Sequence, residues 1–212
     1  GMSSEKLKIL NDAMHKFVDN NDISAIQTAI VKNGKLIHFD SYGNSDISDQ
    51  DSLENDDIFR IASMTKPIVS VALMMLHEEG KFKLNDPVYK YIPEFKNLTV
   101  KKRKKTKPVK NHVKVVDLLR HSAGLNFRGP EDYRKTINLT LEEYTKEAVK
   151  DPLKFEPGTT WWYSYATDIC GYLIEVLSGE KLDDFLKNRI FDPLEMNDTF
   201  FELPAKKLDR LT

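Results

Sequence analysis

The chain has 212 residues, 40% hydrophobic and 31% charged, with 32 Lys and Arg against 33 Asp and Glu. That length suffices for one domain with a sizeable core, or one domain with a subdomain inserted in it. The near-zero net charge gives no general attraction to nucleic acid or to an acidic membrane surface. The one cysteine, Cys170, excludes an internal disulfide and a cysteine-based zinc site.

Gly1-Met2 reads as a remnant of tag removal and is set aside. No basic segment followed by an apolar stretch comes after it, and no apolar run is long enough to cross a bilayer. No signal peptide and no membrane span are therefore expected, and a chain without disulfides fits a reducing, cytoplasmic compartment. Over residues 5–18, Leu7, Ile9, Leu10, Met14, Phe17 and Val18 recur at close to helical spacing, which predicts an amphipathic helix. Residues 24–31 and 36–42 read as two strands joined at Asn33-Gly34, a strong hairpin signal.

Residues 64–79 are apolar almost all the way round between Ile68 and Leu76, which predicts a buried helix. Pro67 falls in its first turn and Gly80 marks its end. Residues 81–113 show little periodicity, and the basic run Lys101 to Lys110 reads as a solvated loop. A nucleic-acid arm is the sharper reading of that run, but no aromatic residue interleaves it. Short helices are expected at 114–121, 140–149, 165–178 and 181–189, and a further strand near Phe200-Phe201.

Ser63 and Lys66 form an S-x-x-K pair. Residues three apart share one helix face, so the lysine amine reaches the serine hydroxyl. An unassisted serine is a weak nucleophile and needs a neighbour to take its proton. Two further matches, Ser3–Lys6 and Ser178–Lys181, lack such a setting, whereas Ser63 opens the helix read as buried. The plainer reading of Ser63 is a helix N-cap. Tyr163, after Trp161-Trp162 and before an expected helix, has a hydroxyl that a nearby ammonium would push toward phenolate, fitting it for general acid–base work; in an aromatic cluster, packing alone also explains it. His121 lies outside any G-x-S-x-G context and reads as structural, satisfying backbone groups at a helix end. His15, His38, His77 and His112 have no metal-ligand spacing, so no metal or other cofactor is expected.

Taken together, Arg60 to Pro67, Glu79-Gly80-Lys81, Leu84 to Val88, Tyr91 to Phe95, Val115 to Leu125, and Pro157-Gly158 through Tyr163-Ser164 to Gly171–Glu175 resemble the serine β-lactamase and penicillin-binding-protein-like superfamily. The similarity is to the branch of class C β-lactamases, D-aminopeptidases and β-lactamase-like esterases. It implies an α+β fold, an antiparallel sheet flanked by helices. Residues 1–83 would hold the first helix, the hairpin and the nucleophile helix; 84–160 a mainly helical subdomain; 161–212 the tyrosine segment and further helices. It implies a serine hydrolase working through an acyl-enzyme on an ester, amide or β-lactam, with a small molecule or peptide as substrate. Ser63 would be the nucleophile, Lys66 would assist proton transfer, Tyr163 would be the general base, and the Ser63 N–H would supply half of an oxyanion hole. The alternative is a non-catalytic penicillin-binding-like module that binds a peptide or cell-wall fragment.

Two positions depart from the resemblance. Tyr165 stands where the commoner Y-x-N pattern has asparagine, and no K-T-G, H-x-G or W-G-G segment occurs between Tyr163 and Thr212. The reading is therefore of a C-terminally truncated form, poorly active, with an open sheet edge, an uncovered apolar face on the 64–79 helix, and a tendency to self-associate.

Overall fold

The computed structural model describes residues 3–46, 51–103, 105–126 and 138–212. Gly1-Met2, Lys104 of the basic run and residues 127–137 of the expected helical subdomain lie outside the described residues. The chain divides into two units, Gly1–Ile61 with Glu202–Thr212, and Ala62–Phe201.

In the first unit, helix α1 spans Ser4–Asp19. Ser3 caps it, its hydroxyl accepting the Lys6 N–H at 3.4 Å, which accounts for the first spare S-x-x-K match. The helix buries no residue fully. It is tied instead to strand β2 (Lys35–Gly43) by polar contacts: His15 Nε2 lies 2.7 Å from Asp40 Oδ2, and the His15 ring stacks on Tyr42 at 3.8 Å. Strand β1 (Ala25–Lys32) pairs antiparallel with β2, with a bulge between Ile30 and Val31. The connecting Asn33 and Gly34 have φ of 51° and 71°, both left-handed, as a type I′ turn needs. Residues 208–212 return to this unit through a parallel bridge between Ile58 and Leu211. Among its described residues only Leu53 and Ile58 are fully buried.

The second unit is built on helix α2, Thr65–Glu78. Its end is a Schellman arrangement: the Gly80 N–H donates to the His77 carbonyl at 2.9 Å and the Lys81 N–H to the Leu76 carbonyl at 3.0 Å. Val69, Ala72, Leu73 and Leu76 form one buried stripe. Val71, by contrast, is 55% exposed, so this helix is buried on one side and not all round.

Residues 101–110, read as a loop, instead contribute to a hairpin of β3 (Thr99–Lys102) and β4 (Lys105–Pro108). Buried Val100 anchors it, and the backbone of Leu153 bonds along β3 through Lys101 N (2.8 Å) and Thr99 O (2.7 Å). Then come α3 (Val115–Leu119), α4 (Leu141–Ala148), α5 (Ala166–Ser178) and α6 (Leu182–Leu186), the last running into a π-helical turn at Lys187–Phe191. No strand forms at Phe200-Phe201. Helix α5 packs on α2 and brings Ile169, Cys170, Leu173 and Ile174 into the core; each large aliphatic side chain buried there stabilises the unit by about 1.5–3 kcal/mol. Ser178, the third S-x-x-K serine, donates its hydroxyl to the Ile174 carbonyl at 2.7 Å and ends α5.

Candidate active site

The turn into α2 sets the position of Ser63. Ala62–Met64 is a short 3₁₀ turn, and Ala62 sits at φ +42°, a region non-glycine residues seldom enter. The α-helix begins only at Thr65, so its N-cap is Met64, which makes no side-chain cap bond. Ser63 is therefore not an N-cap, contrary to the plainer sequence reading, and its hydroxyl is turned to other partners. Pro67, the third helical residue, loses nothing by lacking an N–H in the first turn.

Ser63 Oγ accepts two hydrogen bonds, from Lys66 Nζ at 3.3 Å and from Tyr163 Oη at 2.8 Å, the second across 100 residues of chain. Lys66 Nζ also lies 4.7 Å from the centre of the Tyr163 ring. The three side chains named from the sequence are thus brought together at one exposed point. The Lys66 hydrogen bond, then the Ser63 hydroxyl, then the Lys66 charge hold the Tyr163 phenol below the usual tyrosine range; burial and the negative charge of Asp168 act against them.

Tyr163 is carried on the segment from Pro157 to Tyr165, pinned at several points. The Gly158 N–H donates to the Ser122 carbonyl at 2.8 Å. Beneath it, buried Asp117 accepts from Arg120 Nη2 at 2.7 Å and from Ser122 Oγ at 2.8 Å, so the one buried carboxylate in this layer is paired and hydrogen-bonded. Gly124 has φ +84°, and a Cβ there would stand 2.5 Å from the Phe155 carbonyl oxygen, so no other residue fits. Tyr165 points inward, 7% exposed, and donates its hydroxyl to the Ala148 carbonyl at 3.0 Å. Burial pushes its pKa far above the usual range. The side chain at the family's asparagine position is thus spent in the core.

His121 is the residue whose place sequence reasoning understated. Its backbone is left-handed, φ +57°. Its carbonyl accepts the Trp162 N–H at 2.9 Å and its Nδ1 accepts the Ser164 N–H at 3.3 Å. Its ring lies 4.8 Å from the Tyr163 ring at 34°, and Trp161, 65% exposed, meets it edge-on at 6.4 Å. Burial first, and the Lys66 charge second, lower its pKa. Sequence reasoning read it as structural, satisfying backbone groups at a helix end; the groups it accepts from belong to the tyrosine segment. Among the described residues no three His, Cys, Asp or Glu side chains converge as metal ligands, and no helix is long and apolar enough to cross a membrane.

A mainly α-helical framework with small antiparallel hairpins, and a serine, lysine and tyrosine meeting at the start of its central helix, define a β-lactamase/transpeptidase-like fold. The chain belongs to the Beta-lactamase family, whose sequence profile matches residues 10–212. It is 28% identical to Esterase EstB of Burkholderia gladioli over 184 residues, 81% of this chain and 45% of that protein. Among solved structures it is similar to EstCE1, a hydrolase with promiscuous acyltransferase activity, at 25% identity and TM-score 0.86, over 97% of this chain and 55% of that one. A class C beta-lactamase matches in fold at 21% identity and TM-score 0.81, over 100% of this chain and 56% of that one. The chain spans about half the length of the curated relatives it matches.

Proposed function

We propose that this chain carries the nucleophile half of a serine hydrolase that works through an acyl-enzyme, with an ester as its preferred substrate class among esters, amides and β-lactams. The observation that carries the reading is the pair of hydrogen bonds converging on Ser63 Oγ from Tyr163 and Lys66. In the deprotonated state, Tyr163 takes the Ser63 proton as Oγ bonds to the carbonyl carbon of the substrate. The same phenol then returns the proton to the departing alkoxide as the ester C–O bond breaks. Water repeats the sequence on the acyl-serine and releases the acid. Lys66, within reach of both oxygens, stabilises the phenolate before transfer.

The preference for esters rests on Tyr165. An amide-bearing substrate gains from a side-chain donor beside its own carbonyl, and an amine leaves only once protonated. Here the residue two places after Tyr163 gives its only donor to Ala148. The test is covalent labelling with a fluorophosphonate, with the modified peptide identified by mass spectrometry. Label on Ser63 that is lost in Ser63→Ala is the expected result. Label that persists in Ser63→Ala, or ligand binding indifferent to that substitution and without any acyl intermediate, overturns the reading in favour of a binding module.

A further inference from the structure

We infer that His121 is a positioning residue for Tyr163, holding the tyrosine from both chain neighbours and from one ring face so that its phenol oxygen stays at Ser63. Its consequence for rate rests on the hydrolase reading above; its geometric content does not. The residue before the tyrosine, Trp162, donates its N–H to the His121 carbonyl at 2.9 Å, and the residue after it, Ser164, donates to His121 Nδ1 at 3.3 Å. One residue therefore fixes the backbone on each side of the side chain that must point at Ser63. The His121 ring then covers a face of the Tyr163 ring at 4.8 Å, limiting rotation about the tyrosine's side-chain torsions.

The support itself is fixed. The His121 N–H donates to the Leu118 carbonyl at 3.2 Å at the end of α3, so the imidazole is carried by a helix terminus in the buried core. The left-handed backbone at His121, disfavoured for a non-glycine residue, is kept, which is the pattern of strain held where geometry serves a site. The role also needs a neutral ring, because an Nδ1 that accepts an N–H cannot carry a proton. Burial and the facing Lys66 ammonium favour that form. His121 is not itself the proton acceptor for Ser63: among the described residues Ser63 Oγ meets Tyr163 and Lys66.

Two substitutions separate positioning from bulk stability. His121→Asn tolerates the left-handed backbone and offers an amide oxygen near the place of Nδ1, whereas His121→Gly relieves the backbone but removes both acceptor and ring. Two quantities are followed against pH on protein shown to be folded by circular dichroism. One is the rate of fluorophosphonate labelling at Ser63. The other is the phenolate absorbance of Tyr163, isolated by difference from Tyr163→Phe. The groups whose charges bear on that phenol are Lys66 and Asp168, and both are left in place. His121→Gly should label about 10²-fold more slowly, the scale of a misplaced catalytic group, and its phenol titration should move up toward that of free tyrosine. His121→Asn should recover most of the rate and the native midpoint. If His121→Gly merely melts earlier, with unchanged midpoint and labelling rate, the inference is overturned. If the unsubstituted chain takes no label at Ser63, the hydrolase reading falls, and the phenol midpoint alone decides His121: a shift supports the positioning role, no shift ends it.

Discussion

Ser63 Oγ has two lone pairs and one proton, and the site fills both lone pairs before any substrate arrives: Tyr163 donates from 2.8 Å and Lys66 from 3.3 Å. Proton removal therefore waits on a change at Tyr163, whose phenol must first be ionised. Because its pKa is lowered by Lys66, acylation should rise with pH through a limb centred below the ordinary tyrosine value of about 10, and fall away as pH drops through that lowered value. Lys66→Ala removes the ammonium that lowers the phenol's pKa most and should move the limb to higher pH, which a pH series of labelling rates measures. Tyr163→Phe should slow acylation by about 10²-fold or more. Tyr165→Phe should leave acylation nearly untouched, because its hydroxyl serves the buried Ala148 carbonyl; urea unfolding should show a loss of about 1 kcal/mol instead. A reversal of those two phenotypes would mean that Tyr165 is the working phenol. Much of this site was legible. The Ser63–Lys66 pair follows from three-residue spacing together with its place at the start of the apolar 64–79 helix, and Tyr163 from resemblance. The inward turn of Tyr165 and the grip of His121 on its two backbone partners were not, because both depend on how distant segments pack.

At the scale of the elements, regular helices were read correctly and special backbone was not. Helix α5 and the Asn33-Gly34 hairpin follow from periodicity and turn chemistry. The start of α2 was misread by one residue because Ala62, with no sequence signal, enters the left-handed region and a 3₁₀ turn precedes the helix. The β3–β4 hairpin was missed for a different reason. Its residues are mostly Lys and Thr, without apolar alternation, and it forms because Val100 is buried and the Leu153 backbone continues the ladder. Phe200-Phe201 has strand-like composition but does not adopt strand conformation. The segment after α3 gives the clearest element-scale prediction. Gly124→Ala forces a Cβ to 2.5 Å from a main-chain oxygen and imposes left-handed strain, so it should cost more than about 2 kcal/mol in chemical denaturation. Its labelling rate at Ser63 should fall with it, since the same segment carries His121.

Over the whole molecule the burial is unevenly shared. The unit of residues 62–201 holds nearly all of the fully buried side chains described, while the other holds Leu53 and Ile58 and depends on polar ties such as His15–Asp40. Local opening is cheapest where few apolar contacts must be broken. Amide hydrogen exchange should therefore be fastest in α1 and the β1–β2 hairpin and slowest in the buried turns of α2 and α5. Equal protection across both units would contradict this. The same asymmetry explains why the α+β class was legible from pattern, whereas the division into two units at residue 61, which falls within a motif segment and not at a linker, was not.

Cys170 sits on α5 with 1% of its surface exposed, and burial pushes its thiol pKa up to about 12. Alkylating reagents attack thiolate, so in the native chain this sulfur is both hidden and in the wrong ionisation state. Being the one cysteine in the sequence, it yields one adduct, of one mass, at one place. Its capture by iodoacetamide then becomes a clock for opening of the core around α5. With reagent in excess the capture rate reports how often that core opens, and at low reagent it reports the equilibrium population of the open form. Capture should be slow in buffer and accelerate steeply with urea in step with loss of helical circular dichroism; rapid capture without denaturant would mean that the core around α5 breathes independently of global unfolding.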